Sequence, residues 1–253
     1  MKKIIAITNQ KGGVGKTTAA LSLLGALLKQ NKKNRVLGID LDPQGSLGFS
    51  AGVDIENCPT IYEVFKGKKS VGDVIVSTRV GDILPSNILL SGAEREFNGP
   101  GRAYLLSDQI RKVESRYDYI IIDTPPALNV LTLNAYVAAE GLITPMVPEV
   151  LSLLAIKQIA ETINDVRRDY NPDLEVLGIL LNRFNIRLLL NREMDEMAQN
   201  MAAGLGTKVF RSRIHASVSV AESPAHGESV ITYSPSSKPS RDYQALLREL
   251  MRE

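Results

Sequence analysis

Nine consecutive residues, Gln10-Lys11-Gly12-Gly13-Val14-Gly15-Lys16-Thr17-Thr18, combine glycines, lysines and hydroxyls in an order suited to holding phosphate. The glycines allow a tight turn in which several backbone N–H groups converge on one anion. A helical pattern begins immediately afterwards, and its N-terminal end adds positive potential at the same point. Lys16 is spaced to reach the β- and γ-phosphates of a nucleotide, and the Thr17 hydroxyl to ligate Mg²⁺. Gly12, Gly13, Val14, Gly15 and Thr18 complete the cradle.

Two carboxylate strings could complete a phosphoryl-transfer site. One runs Gly38-Ile39-Asp40-Leu41-Asp42-Pro43-Gln44-Gly45, the other Asp123-Thr124-Pro125-Pro126. Each follows a short apolar run that reads as a buried strand. In a parallel sheet both strand ends lie on the edge that carries the phosphate loop. Carboxylates there can serve a metal ion and an attacking water.

The elements that must position these residues alternate along the chain. Short apolar runs at 4–8, 36–40, 119–123, 141–147 and 176–181 read as strands. Helical patterns occupy the stretch after the glycine loop to about residue 29, then 102–116, 129–140, 151–170 and 188–203, and a last helix starts near 241. In 151–170 the apolar stripe is Ile156, Ile159, Ile163 and Val166, closed by Tyr170. The region 45–91 is less regular, with a short helix near 61–65 and a strand near 83–84. Residues 209–210 and 217–220 are further strand candidates, and 234–240 reads as a connecting loop. Unbroken apolar strands alternating with helices predict an α/β, doubly wound, mostly parallel sheet with helices on both faces. One domain over residues 1–253 is expected.

Composition narrows the function. An apolar fraction of 44% and a charged fraction of 23% exclude a disordered or collagen-like chain. The single cysteine, Cys58, excludes an internal disulfide and any cysteine-rich metal or cluster site within one chain. The net charge of +2 makes any basic surface a local matter. The apolar run at residues 4–7 is too short for a signal-peptide core, and no stretch reaches the ~20 apolar residues of a spanning helix. A cytoplasmic location is expected.

The loop departs from the plain phosphate-loop pattern: Gln10 stands where a glycine is expected, and a second lysine, Lys11, opens the loop. The string Lys-Gly-Gly-Val-Gly-Lys-Thr-Thr resembles the deviant Walker A motif of the ParA/MinD family of P-loop ATPases. The resemblance continues through Asp123-Thr124-Pro125-Pro126, Leu131-Thr132-Leu133-Asn134-Ala135, Pro145-Met146-Val147-Pro148-Glu149 and the helix near Leu154-Ala155-Ile156. Asp42-Pro43-Gln44-Gly45 and Ala221-Glu222-Ser223-Pro224-Ala225-His226-Gly227 resemble strings of the Soj-type partition branch. The match spans nearly the whole chain. It resembles a small ParA without the extra N-terminal DNA-reading domain of larger versions.

The resemblance implies ATP and Mg²⁺ as cofactors, and ATP sandwiched in a homodimer with Lys11 crossing to the facing subunit's nucleotide. It implies that Asp40 positions or activates the water and that Asp123 holds Mg²⁺, through a water. Asp42 is left as a switch-loop residue, and Asn182 matches the position that touches adenine. Proton abstraction by a free carboxylate is weak near neutral pH, and no arginine or histidine lies in the three motifs, so slow hydrolysis is expected.

Small ParA proteins bind DNA non-specifically as ATP dimers, are stimulated by a ParB-like partner, and associate with the nucleoid. Residues 183–219 carry six basic residues against three acidic ones, a local excess absent from the rest of the chain. Arg187, Arg211 and Arg213 are the candidate DNA contacts. Two arginines of the family string are Ala216 and Ser219 here. A MinD-like membrane-associated ATPase is the alternative, since 241–253 carries an apolar stripe, but its charges cancel and membrane attachment is not expected. A nucleotide-gated protein-positioning switch is the other.

Overall fold

The computed structural model describes every residue except Lys2, Leu205 and Glu253, with the backbone alone at residues 150–158. Seven strands run β1 (Ile4–Ile7), β2 (Val36–Asp40), β3 (Val76–Thr78), β4 (Gly81–Leu84), β5 (Tyr119–Asp123), β6 (Gly141–Met146) and β7 (Glu175–Leu181). They form one sheet in the order β3-β4-β2-β5-β1-β6-β7. All neighbours are parallel except the β3–β4 pair, which is an antiparallel hairpin at the edge. This is the α/β, mostly parallel sheet that the alternation of elements predicts.

The central strands are apolar on both sides because both sides are covered. Alternate residues feed opposite cores, as the two-residue period of a strand requires. Ile4 and Ala6 join Leu37, Ile39, Ile120 and Ile122 on one face. Ile5 and Ile7 join Val36 and Ile121 on the other. Helix Lys16–Gln30 covers the second face together with the C-terminal helix Lys238–Leu250. A smaller core under helix Leu189–Gly204 contains Met146, Leu181, Phe184 and Met194.

Several expectations are corrected. Residues 217–220 form no strand: Val218–Glu222 is a short helix, and the Ser217 and Ser219 hydroxyls meet at 2.9 Å. The alternating serines mimic a strand period, but this segment lies along a cavity rather than beside a neighbouring strand. Val209 makes one isolated bridge to Ile179. The helix expected over 102–116 is Leu105–Arg111 between two 3₁₀ turns, since its buried face is only Leu106 and Ile110. The connecting loop ends early: Ser237 caps the Ser240 N–H, Pro239 sits in the first turn, and the last helix starts at Lys238. Ile159, Ile163 and Val166 are buried as expected, whereas Tyr170 is exposed and meets Tyr104 edge-on. Ile156 and the Leu154-Ala155-Ile156 string lie outside the described side chains.

Candidate nucleotide site

The loop leaves β1 at the sheet's middle, with β5 on one side and β6 on the other. Its entrance is pinned to both neighbours. The Asn9 amide donates to Pro145 O at 2.8 Å and its Oδ1 accepts the Lys11 N–H at 2.9 Å. The Thr124 hydroxyl donates to Ile7 O. Gly13 and Gly15 then take left-handed backbone angles, φ +74° and +93°. At Gly15 a β-carbon would also stand 2.6 Å from the Asn182 amide nitrogen, so close approach and turn geometry both demand glycine.

A cavity of about 360 Å³ opens above the loop, lined by Gly12, Gly13, Gly15, Lys16, Thr17 and Thr18, with Asp42 opposite. Lys16 is buried and its ammonium donates to Lys11 O at 3.3 Å. Burial pulls its pKa below the ordinary lysine value, against the opposing pull of Asp123 and Asp42. A ligand bearing negative charge in this cavity would meet a cation already stripped of water. Lys11 forms an ion pair with Glu149, a residue the sequence reading did not assign a role.

The three carboxylates occupy unlike places. Asp40 and Asp123 are register partners at the ends of β2 and β5, and both are fully buried. Asp123 makes no full hydrogen bond through either oxygen among the described residues. Burial and the Asp40 charge raise its pKa well above the usual range, while Thr17 and Lys16 pull it down. An orphaned buried carboxylate beside a threonine hydroxyl suits a hydrated Mg²⁺ bridging to phosphate. Asp40 is saturated instead. Its carboxylate accepts from the backbone N–H groups of Asp42, Leu47 and Gly48 at 3.0, 2.9 and 3.1 Å. Burial pushes its pKa up to about 7 against those three donors. Asp40 thus ties down the turn that carries Asp42 and the short helix Ser46–Ser50. Asp42 faces the phosphate cavity, spending one oxygen on the exposed Gln44 N–H.

A second cavity of about 230 Å³ joins the first at Gly15, Thr18 and Arg183. Asn182 lies in its wall, donating its amide to Val14 O at 2.7 Å. Its Oδ1 is buried without a partner among the described residues, an acceptor open to an exocyclic amine. His215, Ala216, Ser217 and Val220 line the same space, and Pro224 lines the first cavity. The His215 N–H and Nδ1 both meet Asp242 Oδ2, at 3.0 and 2.8 Å. Of these, only Asn182 was foreseen. The return of 214–224 onto the loop has no local signal beyond its resemblance string.

The three DNA candidates have unlike surroundings. Arg187 is exposed on the turn before helix Leu189–Gly204. Arg211 is exposed in a cleft it shares with Arg248 and Arg252. Arg213 is largely buried; its guanidinium is held by the Asp195 carboxylate at 2.7–3.1 Å and lies over the Phe184 ring. Beside Arg187 stand four exposed apolar residues, Ile186, Leu188, Leu189 and Leu190. The stripe of the last helix is not exposed: Tyr243, Leu246, Leu247 and Leu250 are buried against the domain. No helix among the described residues is long and apolar enough to cross a membrane.

The AAA domain family matches residues 2–176. The sporulation initiation inhibitor protein Soj of Bacillus subtilis is 38% identical over 99% of this chain and 98% of its own length. The chromosome partitioning protein ParA of Myxococcus xanthus is 37% identical over 99% of this chain and 88% of its own. Among solved structures, a cobyrinic acid a,c-diamide synthase from Mycobacterium smegmatis with bound ADP and magnesium superposes with a TM-score of 0.85. It is 35% identical and covers 100% of this chain and 95% of its own.

Proposed function

This chain belongs to the ParA/Soj-type partition ATPases, with ATP and Mg²⁺ as cofactors, and from that premise we propose that it is a DNA-segregation switch built as one ATPase domain. ATP binds with its phosphates over Gly12–Thr18 and its base against Asn182. Lys16 neutralises the β- and γ-phosphates. Thr17 and Asp123 hold Mg²⁺, which supplies further charge neutralisation when bound. Lys11 exchanges Glu149 for the nucleotide of a second copy, closing a sandwich homodimer. Hydrolysis is slow and a ParB-like, centromere-bound partner accelerates it. The dimer holds DNA non-specifically, so the protein is cytoplasmic and nucleoid-associated.

The water-positioning role passes from Asp40 to Asp42 in this reading. A carboxylate already accepting three backbone N–H groups, with no exposed surface, has little left to offer a water. Asp42 faces the phosphates, and Asp40 holds it there.

The observation that carries the proposal is Lys11, placed at the mouth of a complete phosphate loop and held by an acidic partner outside that loop. DNA contact rests on Arg187 and Arg211, with Arg213 committed to Asp195. The test is binding to random-sequence duplex with ATP, with ADP and without nucleotide, across a salt series. ATP-dependent, salt-sensitive binding weakened by Lys16→Ala and by Arg187→Ala is the expected result. Failure to bind in any state would remove DNA as the matrix. The exposed row Ile186, Leu188, Leu189 and Leu190 favours a second reading, a nucleotide-gated switch that docks on an apolar partner or membrane surface. Liposome and partner binding under the same nucleotide states separates the two.

A further inference from the structure

Arg183 follows Asn182 at the end of β7, and among the described residues it is the one non-glycine with a left-handed backbone, φ +52°. That conformation costs a side-chain-bearing residue of arginine's kind free energy that glycine or asparagine would largely avoid. Nothing among the described residues repays it. The guanidinium makes no hydrogen bond or ion pair among the described residues and is exposed. Yet Arg183 lines both the phosphate cavity and the base cavity, where they meet at Gly15 and Thr18. Strain kept at a cavity mouth, with no partner inside the protein, points to a partner that arrives from outside.

We propose that Arg183 is a nucleotide-binding residue whose guanidinium closes over the bound nucleotide at its α-phosphate. The position selects that group. A nucleotide lying with its β- and γ-phosphates on Lys16 and its base against Asn182 must pass its ribose and α-phosphate through the junction. A planar fork of N–H donors suits phosphate oxygens there, and the neighbouring Asn182 anchors the turn by its bond to Val14 O. The left-handed turn is what swings residue 183 back over the junction, while Phe184 is tucked into the core beneath helix Leu189–Gly204. The inference concerns nucleotide binding alone and stands whether or not the protein holds DNA.

The experiment exploits the strain. Arg183→Gly accepts the same backbone angle without strain, a relief that offsets the entropy glycine adds to the unfolded chain, so the nucleotide-free variant should melt at or a few degrees above the wild type. The same variant should bind Mg·ATP and Mg·ADP roughly tenfold more weakly, by calorimetry on the full chain. Equal losses for the two nucleotides are expected, because both carry the α-phosphate. Arg183→Lys should restore part of the affinity by returning the charge. Unchanged affinity for both nucleotides in Arg183→Gly would overturn the proposal. So would a lower melting temperature, which would make the arginine a structural residue, or a loss confined to ATP, which would move the contact to the γ-phosphate.

Discussion

Asp40 and Asp42 are two residues apart, and exchanging each for alanine should have opposite signatures. Asp40→Ala removes the acceptor of three backbone N–H groups. Those of Leu47 and Gly48 are buried, and each buried donor left unpaired costs about 1–3 kcal/mol. Relief of a carboxylate forced into a fully buried site offsets part of that. A net loss of about 2–4 kcal/mol remains, which in a chain of this length lowers the melting temperature by about 5–15 °C. The helix Ser46–Ser50 loses its anchor, and Asp42 is no longer held in place. Asp42→Ala releases one exposed Gln44 N–H, a cost within about 1 kcal/mol, and should leave the melting temperature nearly unchanged. Thermal unfolding without nucleotide reads the first effect. ATP binding and phosphate release read the second. Asp42→Ala should bind ATP and release almost no phosphate, whereas Asp40→Ala should be thermally weakened before any kinetic defect is considered. A stable Asp40→Ala that binds ATP without hydrolysing it, beside an Asp42→Ala of normal turnover, would refute the assignment.

Two further outcomes follow from the same site. Gly15→Ala forces a left-handed angle on a residue with a β-carbon 2.6 Å from the Asn182 amide. Strain of about 1–2 kcal/mol, with about 1–3 kcal/mol more if the buried Asn182–Val14 bond breaks, should show in urea unfolding together with loss of ATP binding; retention of both would contradict the geometry. Burial raises the Asp40 pKa to about 7, so between about pH 4 and pH 7 the native state holds a proton that the unfolded chain has released. Its contribution is therefore fully present below about pH 4 and is lost as pH rises through about 7. Nucleotide-free protein should accordingly unfold at lower urea near pH 7.5 than near pH 5.5, with the difference diminished in Asp40→Ala; a flat or rising profile would count against it.

The phosphate loop was legible because its chemistry is local. A strand, three glycines, Lys16 and Thr17 lie within one turn of chain, and each residue type has one physical reason to be there. The strands were legible for the same reason: Ile4, Ile5, Ala6 and Ile7 are apolar on both sides because both sides are covered. The carboxylates show where local reading stops. Asp40 and Asp42 carry the same chemistry in the sequence, and what separates them is which one the chain folds back upon. Leu47 and Gly48 turn their N–H groups onto Asp40, and that return is a property of the turn at Gly45, φ +64°, not of either aspartate.

The base side of the site was less legible still, because it is assembled from residues 182–183, 214–224 and 243, whose segments meet only in three dimensions. Serines 217 and 219 counterfeit a strand there, and the partly buried Arg213–Asp195 pair counterfeits part of a solvent-facing basic patch. Counting arginines along 183–219 therefore overstates how many are free to grip phosphate, although the net excess is unchanged because Asp195 is counted with Arg213. Of the three candidates Arg187 and Arg211 remain exposed, and Arg187 stands among four apolar side chains. Phosphate contacts alone would leave those apolar groups in water. Under the proposed function, a matrix held at this face must therefore satisfy both kinds of surface, unless a second copy covers the apolar row in the proposed ATP dimer. Comparing Leu189→Ser with Arg187→Ala distinguishes these. A serine that weakens ATP-dependent dimerisation assigns the row to the partner copy, and one that weakens only matrix binding assigns it to the matrix.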